Sequence, residues 1–192
     1  MRRRTPLMLA LAAALVVGVA VAVNATAGDG GGGTLAELTR REYPPGERPP
    51  APTIAGETLE GDSLDLADLR GDVVVVNVWG SWCGPCRSEM PELEQVHQNT
   101  REQGVRFVGV NIRDDLDRAR SFAARRITYP SIFDPGSQYT LGFTDTPPPP
   151  GVPATLVIDR DGNLAATIYR VVDAPELERV VTAVASEEAG GG

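Results

Sequence analysis

The feature that most constrains this chain is a pair of cysteines, Cys83 and Cys86, set three apart where two hydrophobic patterns meet. Ahead of them runs Val73-Val74-Val75-Val76-Asn77-Val78-Trp79, β-branched and almost wholly apolar. That run is too short for a helix and suits a strand buried on both faces. Behind them Met90, Leu93 and Val96 recur at helical spacing, so residues 83–100 read as an amphipathic helix. A strand that runs into a helix with a dithiol in the joint leaves few folds open. These two are the chain's only cysteines, too few to staple a small scaffold. A core must therefore come from apolar burial, and with 192 residues that are 42% hydrophobic the chain can build one domain plus appendages.

The joint itself, Trp82-Cys83-Gly84-Pro85-Cys86, carries the chemistry. A helix start has unpaired backbone N–H groups and the positive end of the helix dipole, which favour negative charge. A thiol at position 83 is expected to ionise readily there. Cys86, one turn further on, is expected to be more buried and to resolve a mixed disulfide formed on Cys83. Pro85 falls in the first turn, where a missing N–H costs little. Tetrahedral zinc needs four ligands, and the only histidine is His97. Covalent haem attachment needs a histidine directly after the second cysteine, where this chain has Arg87. An inert disulfide across so short a loop is a weak cross-link. Reversible thiol–disulfide chemistry is the reading that accounts for all of these features, with no metal and no cofactor beyond a Cys83–Cys86 disulfide.

All 18 basic residues are arginine, against 26 acidic ones, for a formal charge of −8. An acidic surface argues against a nucleic-acid partner. Three of the arginines, Arg2, Arg3 and Arg4, precede the 17-residue apolar run 7–23. As a helix this run would span about 26 Å, marginal for a bilayer core of about 30 Å. Ala25-Thr26-Ala27 follows, in the small-x-small pattern of a signal-peptidase site. Residues 1–27 thus read as a signal peptide or an uncleaved membrane anchor, which places the rest outside the cytoplasm. Residues 28–50, rich in Gly and Pro, read as a linker, with a short helix capped at Thr34 and running to Arg41. The domain is expected over 51–188, and residues 189–192 as a disordered tail.

Within the domain, residues 53–69 read as short strands around a turn at Leu59-Glu60-Gly61-Asp62. Strands follow at 73–79 and 105–112, and helices at 83–100 and 116–126. An antiparallel pair at 155–159 and 164–169 folds about Arg160-Asp161-Gly162-Asn163. A last helix opens at Asp173, with Glu176 completing a capping box. The expected class is α/β, a central mixed sheet with helices on both faces and an N-terminal β-hairpin extension.

The motif and this order resemble the thioredoxin superfamily. The stretch from Asn77 to Pro91, with Arg87-Ser88-Glu89-Met90 after the dithiol, resembles its TlpA/ResA-type branch of membrane-tethered thiol–disulfide oxidoreductases. The resemblance implies that Cys83 is the nucleophile and Cys86 the resolving thiol. It implies that Glu89 accepts the proton which a buried Asp takes in cytoplasmic thioredoxins, because Asn77 occupies that place here. Asp114 matches a further acidic position beside the site in some relatives. Gly151-Val152-Pro153 matches the loop with a cis-proline that faces the dithiol. Trp82, Gly84, Pro85, Val152 and Pro153 would then form the surface that binds substrate. Pro91 matches a structural proline inside the helix. The partners implied are protein disulfides or dithiols and a membrane thiol-transfer reductant, with the protein acting as a monomer. The direction implied is reduction of envelope disulfides, including apocytochrome c cysteines before haem attachment. A disulfide-donating oxidase or isomerase on the same fold is the alternative. A peroxidase would need a Thr three residues before Cys83, where Gly80 stands, and a redox-inert binding module would tolerate loss of Cys83. The four prolines Pro147–Pro150 form a stiff segment running into the Val152-Pro153 loop, either a rim for partners or a plain surface loop.

Overall fold

A computed structural model of the chain describes residues 39–187. The signal or anchor segment, residues 28–38 of the expected linker and the tail at 189–192 lie outside the described residues.

Six strands form one mixed sheet. They are β1 (Arg40–Glu42), β4 (Val73–Trp79), β5 (Val105–Ile112), β6 (Ser131–Asp134), β7 (Ala154–Ile158) and β8 (Leu164–Ile168), in the order β1-β8-β7-β4-β5-β6. β4, β5 and β6 run parallel, whereas β7 pairs antiparallel with β4 and with β8. The expected hairpin extension is a separate two-stranded sheet of β2 (Ala55–Glu57) and β3 (Ser63–Asp65). Gly61 takes φ +99 in its turn, a backbone that side chains rarely adopt. The hairpin docks on β6, where the Leu59 N–H reaches Ser131 O at 2.7 Å.

The period of two along β4 sorts its residues between two cores. Val73, Val75 and Trp79 face α1 (Gly84–Thr100), α2 (Leu116–Ala123) and α3 (Ala174–Ala185). Val74, Val76 and Val78 face Ile54, Leu66 and Tyr139, contributed by the hairpin region and by 3-10 helices at Leu66–Leu69 and Gln138–Gly142. Helices cover both faces as expected, but the α-helices share one face and the 3-10 helices hold the other. Asn77 has the register of Val75 and Trp79, which turns a polar side chain toward α1.

Three sequence expectations change. β6 was not anticipated: it is four residues long, follows Pro130 and becomes a strand by pairing with β5. Arg40–Glu42 is a strand, not the end of a helix, because β8 offers it an open edge. Residues 39–50 are not a free linker. Pro49 O accepts the Leu164 N–H, and Arg48, whose side chain is buried, pairs with Asp159 at 3.1 Å and Glu187 at 2.7 Å. Prolines suit such an edge, where one row of backbone donors has no strand to meet.

Candidate functional site

The dithiol sits where β4 gives way to α1. A turn from Gly80 O to Cys83 N, 3.0 Å, ends the strand, and Cys83 is the N-cap of α1. Its Sγ accepts the Cys86 N–H at 3.1 Å, one of the amides a helix start leaves unpaired. Gly84 and Pro85 make the first turn and are exposed, while Cys86 is fully buried and Cys83 is 4% exposed. The two cysteines are joined as a disulfide with Cα atoms 5.3 Å apart. Only the outer cysteine can therefore meet a partner.

Beneath them lies a carboxylate. Cys86, Glu89, Met90, Leu93 and Val96 form the buried stripe of α1, and Glu89 has no exposed surface. The Asn77 amide donates to its Oε1 at 2.9 Å, and the Val172 N–H donates to its Oε2 at 3.2 Å. Burial pushes the Glu89 carboxyl up, the two hydrogen bonds pull it partly back, and it stands at about 7. A carboxyl poised there can take or give a proton near neutral pH. The Asn77 amide also reaches Thr155 Oγ1 at 3.4 Å, and its Oδ1 has no partner.

The segment before the dithiol is pinned from the side by the β5–α2 loop. Asp114 accepts the Ser81 N–H at 2.6 Å and the Ser81 hydroxyl at 2.8 Å, together with Asn111 Nδ2 and the Asp115 N–H. Burial raises the Asp114 carboxyl, but these four donors outweigh it and hold the group below its ordinary value. Trp82 folds back over Gly80, where a Cβ would collide with the indole, and gives its Nε1–H to Ile112 O at 3.2 Å. Trp82 stays 46% exposed beside Cys83. The Arg113 guanidinium lies 5.1 Å from the centre of its ring.

The Val152–Pro153 bond is cis, and Pro153 is buried. Asn77 pairs with Thr155 and Val78 with Ala154, so the loop before β7 emerges at the end of the sheet where β4 delivers the dithiol. The structure thus gathers Cys83, Cys86, Glu89, Asn77, Asp114 and Trp82 around one joint and brings the Val152-Pro153 loop to the same end of the sheet. Pro91 lies inside α1, two residues beyond Glu89. His97 is half-buried on the same helix, against Phe107 and Tyr129, and burial holds its pKa down. Two features escaped the sequence. The Val172 donor is a backbone group, which no side-chain pattern announces. Arg113 takes φ +50, a conformation unusual for a non-glycine residue and unmarked in its neighbours.

Residues 45–184 match the Redoxin family. The thiol–disulfide oxidoreductase ResA of Geobacillus kaustophilus is 31% identical over 130 residues, 67% of this chain and 72% of that one. The crystal structure of a DsbF homologue from Corynebacterium diphtheriae is 38% identical, with a TM-score of 0.71 over 81% of this chain and 96% of its own. A secreted thiol–disulfide isomerase from Corynebacterium glutamicum is 30% identical, also with a TM-score of 0.71, over 83% and 96%. With the disulfide at the helix start and the mixed sheet behind it, these likenesses agree: the chain belongs to the Redoxin family, as a thiol–disulfide oxidoreductase of the TlpA/ResA type within the thioredoxin superfamily.

Proposed function

We propose that this oxidoreductase works outside the cytoplasm, where it reduces disulfides of envelope proteins, apocytochrome c among them, and is itself recharged by a membrane thiol-transfer partner. The observation that carries the exchange chemistry is the Cys83–Cys86 disulfide at the N-cap of α1, with the buried Glu89 carboxyl one turn beyond the buried Cys86. In the reduced protein the Cys83 thiolate attacks one sulfur of a substrate disulfide. The other substrate sulfur leaves as a thiolate, and a mixed disulfide remains on Cys83. Glu89 accepts the Cys86 proton; the Cys86 sulfur attacks Cys83 and expels the second substrate thiolate. Two electrons pass to the substrate, and the protein is left with its Cys83–Cys86 disulfide. Trp82, Gly84, Pro85, Val152 and Pro153 form the surface against which an extended substrate segment lies. Asp114 holds Ser81, and through it the strand exit that presents Cys83.

Reduction as the direction is supported by Gly84-Pro85 within the motif and by the ResA relatives. Location outside the cytoplasm is supported by the charged and apolar N-terminal sequence and by the secreted corynebacterial relative. Among the described residues no helix is long and apolar enough to cross a membrane, so anchoring rests on residues 1–27. The second reading, disulfide donation or isomerisation, draws on the DsbF homologue and the secreted isomerase. Equilibration of the purified protein with glutathione buffers separates the two. A reductant is expected to lie near thioredoxin, at about −270 mV, and a value near the −120 mV of DsbA overturns that direction. Cys83→Ser is expected to abolish exchange, and Cys86→Ser to accumulate the mixed disulfide on Cys83. A Cys86→Ser protein that turns over normally removes the resolving role.

A further inference from the structure

We propose that Arg113 and Arg87 form a cationic rim around the dithiol and select substrates that carry carboxylates beside their disulfide. The proposal rests on the disulfide-exchange reading above and names the class of polypeptide that the site prefers.

The chain has 26 acidic residues against 18 arginines, so an arginine near the surface has an abundance of partners. Arg40, Arg48, Arg106, Arg170 and Arg179 each pair with a carboxylate. Arg113 and Arg87 do not, and neither do eight other described arginines; these two differ in their place, Arg113 over the ring of Trp82 and Arg87 next to Cys86. Both are exposed, and among the described residues neither side chain makes an ion pair. Arg113 spreads over Trp82, the residue before Cys83, and Arg87 follows Cys86 and lies 5.3 Å from the centre of the Phe122 ring. Arg113 thus stands over the first residue of the motif, and Arg87 follows its last residue in sequence, with its guanidinium at the Phe122 ring that Arg126 also contacts at 4.0 Å.

Arg113 has a carboxylate next to it in sequence with which it makes no ion pair. Both oxygens of Asp114 are occupied by Ser81, Asn111 and the Asp115 N–H. The backbone of Arg113 is turned to φ +50, and such conformations persist where the surrounding structure holds them, often at ligand-binding positions. A guanidinium held over an aromatic face can still offer its N–H groups to a carboxylate. A substrate with Asp or Glu next to its cysteine would supply that carboxylate as its sulfur reaches Cys83.

The test is single-turnover reduction by the pre-reduced full chain of two otherwise identical disulfide-bridged peptides. One carries Asp on both sides of each cysteine and the other carries Asn. Each rate is divided by the rate of the same peptide with dithiothreitol, which removes the intrinsic effect of the charges on the disulfide. At low ionic strength the acidic peptide is expected to react about fivefold to tenfold faster, and the ratio should fall toward one near 1 M salt. Arg113→Gln and Arg87→Gln should each lower the ratio, and the double variant should bring it to about one. Arg106→Gln, equal in charge loss but paired to Asp72 at the opposite end of β5, should keep it. Equal normalised rates in the wild-type protein at low salt overturn the rim, as does a ratio preserved in the double variant. The salt series on the wild type decides the matter if the double variant does not fold. Failure to reduce either peptide overturns the disulfide-exchange reading itself and the rim with it.

Discussion

Asn77 and Glu89 meet inside the protein at 2.9 Å, one from the central strand and the other from the helix that begins at the dithiol. The contact joins a strand register to a helical stripe, and neither residue has more than 1% of its surface exposed. Its chemical consequence is a carboxyl with two competing states. Desolvation favours the neutral acid; the Asn77 and Val172 donors favour the anion, and the balance falls at about 7.

That balance makes stability depend on pH in a stated direction. The Glu89 carboxyl stands at about 7 in the folded oxidised protein and near 4.5 when solvated. Between these values the folded state holds a proton that the unfolded state has released. The stabilisation is fully present below 4.5 and is lost as pH rises through about 7. Glu89→Gln removes the term, since the amide can accept from Val172 and donate to the unpartnered Asn77 Oδ1 after rotation of the Asn77 amide. The variant is expected to exceed the wild type at pH 8 by up to about 3 kcal/mol, with no excess at pH 4.5. His97, its pKa held down by burial, runs the other way over the same window, but it is common to both proteins and cancels. Urea midpoints from pH 4.5 to 8.5 measure the difference, and parallel curves would contradict the account. Under the proposed role of Glu89 as proton acceptor, exchange should also slow in the variant.

Asn77→Val removes a donor to the charged form of Glu89 while keeping a β-branched strand residue. Proton affinity at Glu89 should rise by about tenfold or more. The pH profile of disulfide exchange should move to higher pH, and carbon NMR titration of the Glu89 carboxyl should move with it. An unmoved carboxyl titration would show that Asn77 does not tune Glu89.

Asp114→Asn alters the pin on the segment before Cys83. The amide can accept through only one atom, so at least one of the Ser81 donors loses its partner. A loss of about 1–2 kcal/mol is expected at pH 7. Because the Asp114 carboxyl is held below its ordinary value, the loss should shrink as pH falls through that depressed value and wild-type Asp114 is protonated. Alkylation of the reduced protein should show a less reactive Cys83. A variant with wild-type stability and thiol reactivity would show that the pin has no influence on Cys83.

A truncated chain that begins at Ala51 tests the role of residues 39–50. It lacks β1 and leaves Asp159 and Glu187 without Arg48. Loss of the strand pairing, of the Pro49–Leu164 hydrogen bond and of the Arg48 pairs together should make the truncated domain melt well below one beginning at Thr39. The uncovered edge of β8 should also promote association, measurable by light scattering. Equal melting temperatures would return the segment to the status of a linker.

The sequence alone determined what depends on near neighbours. A run of β-branched residues made β4, a three-and-four spacing made α1, and the Cys-x-x-Cys between them put a thiol at the N-cap. The antiparallel pair β7–β8 and the Asp173 cap of α3 were equally legible, because turns and caps are settled within four or five residues. The resemblance in the motif pointed to Glu89 and to the cis bond before Pro153. Only the tertiary structure decided how these groups behave. Glu89 looks like any helix carboxylate until α3 and the strand cover it, and one of its donors comes from 83 residues away. β6 exists because β5 offers an edge, and Arg48 is buried because Asp159 and Glu187 enclose it. Desolvation and edge pairing depend on what lies across the fold, and a one-dimensional pattern carries no record of that.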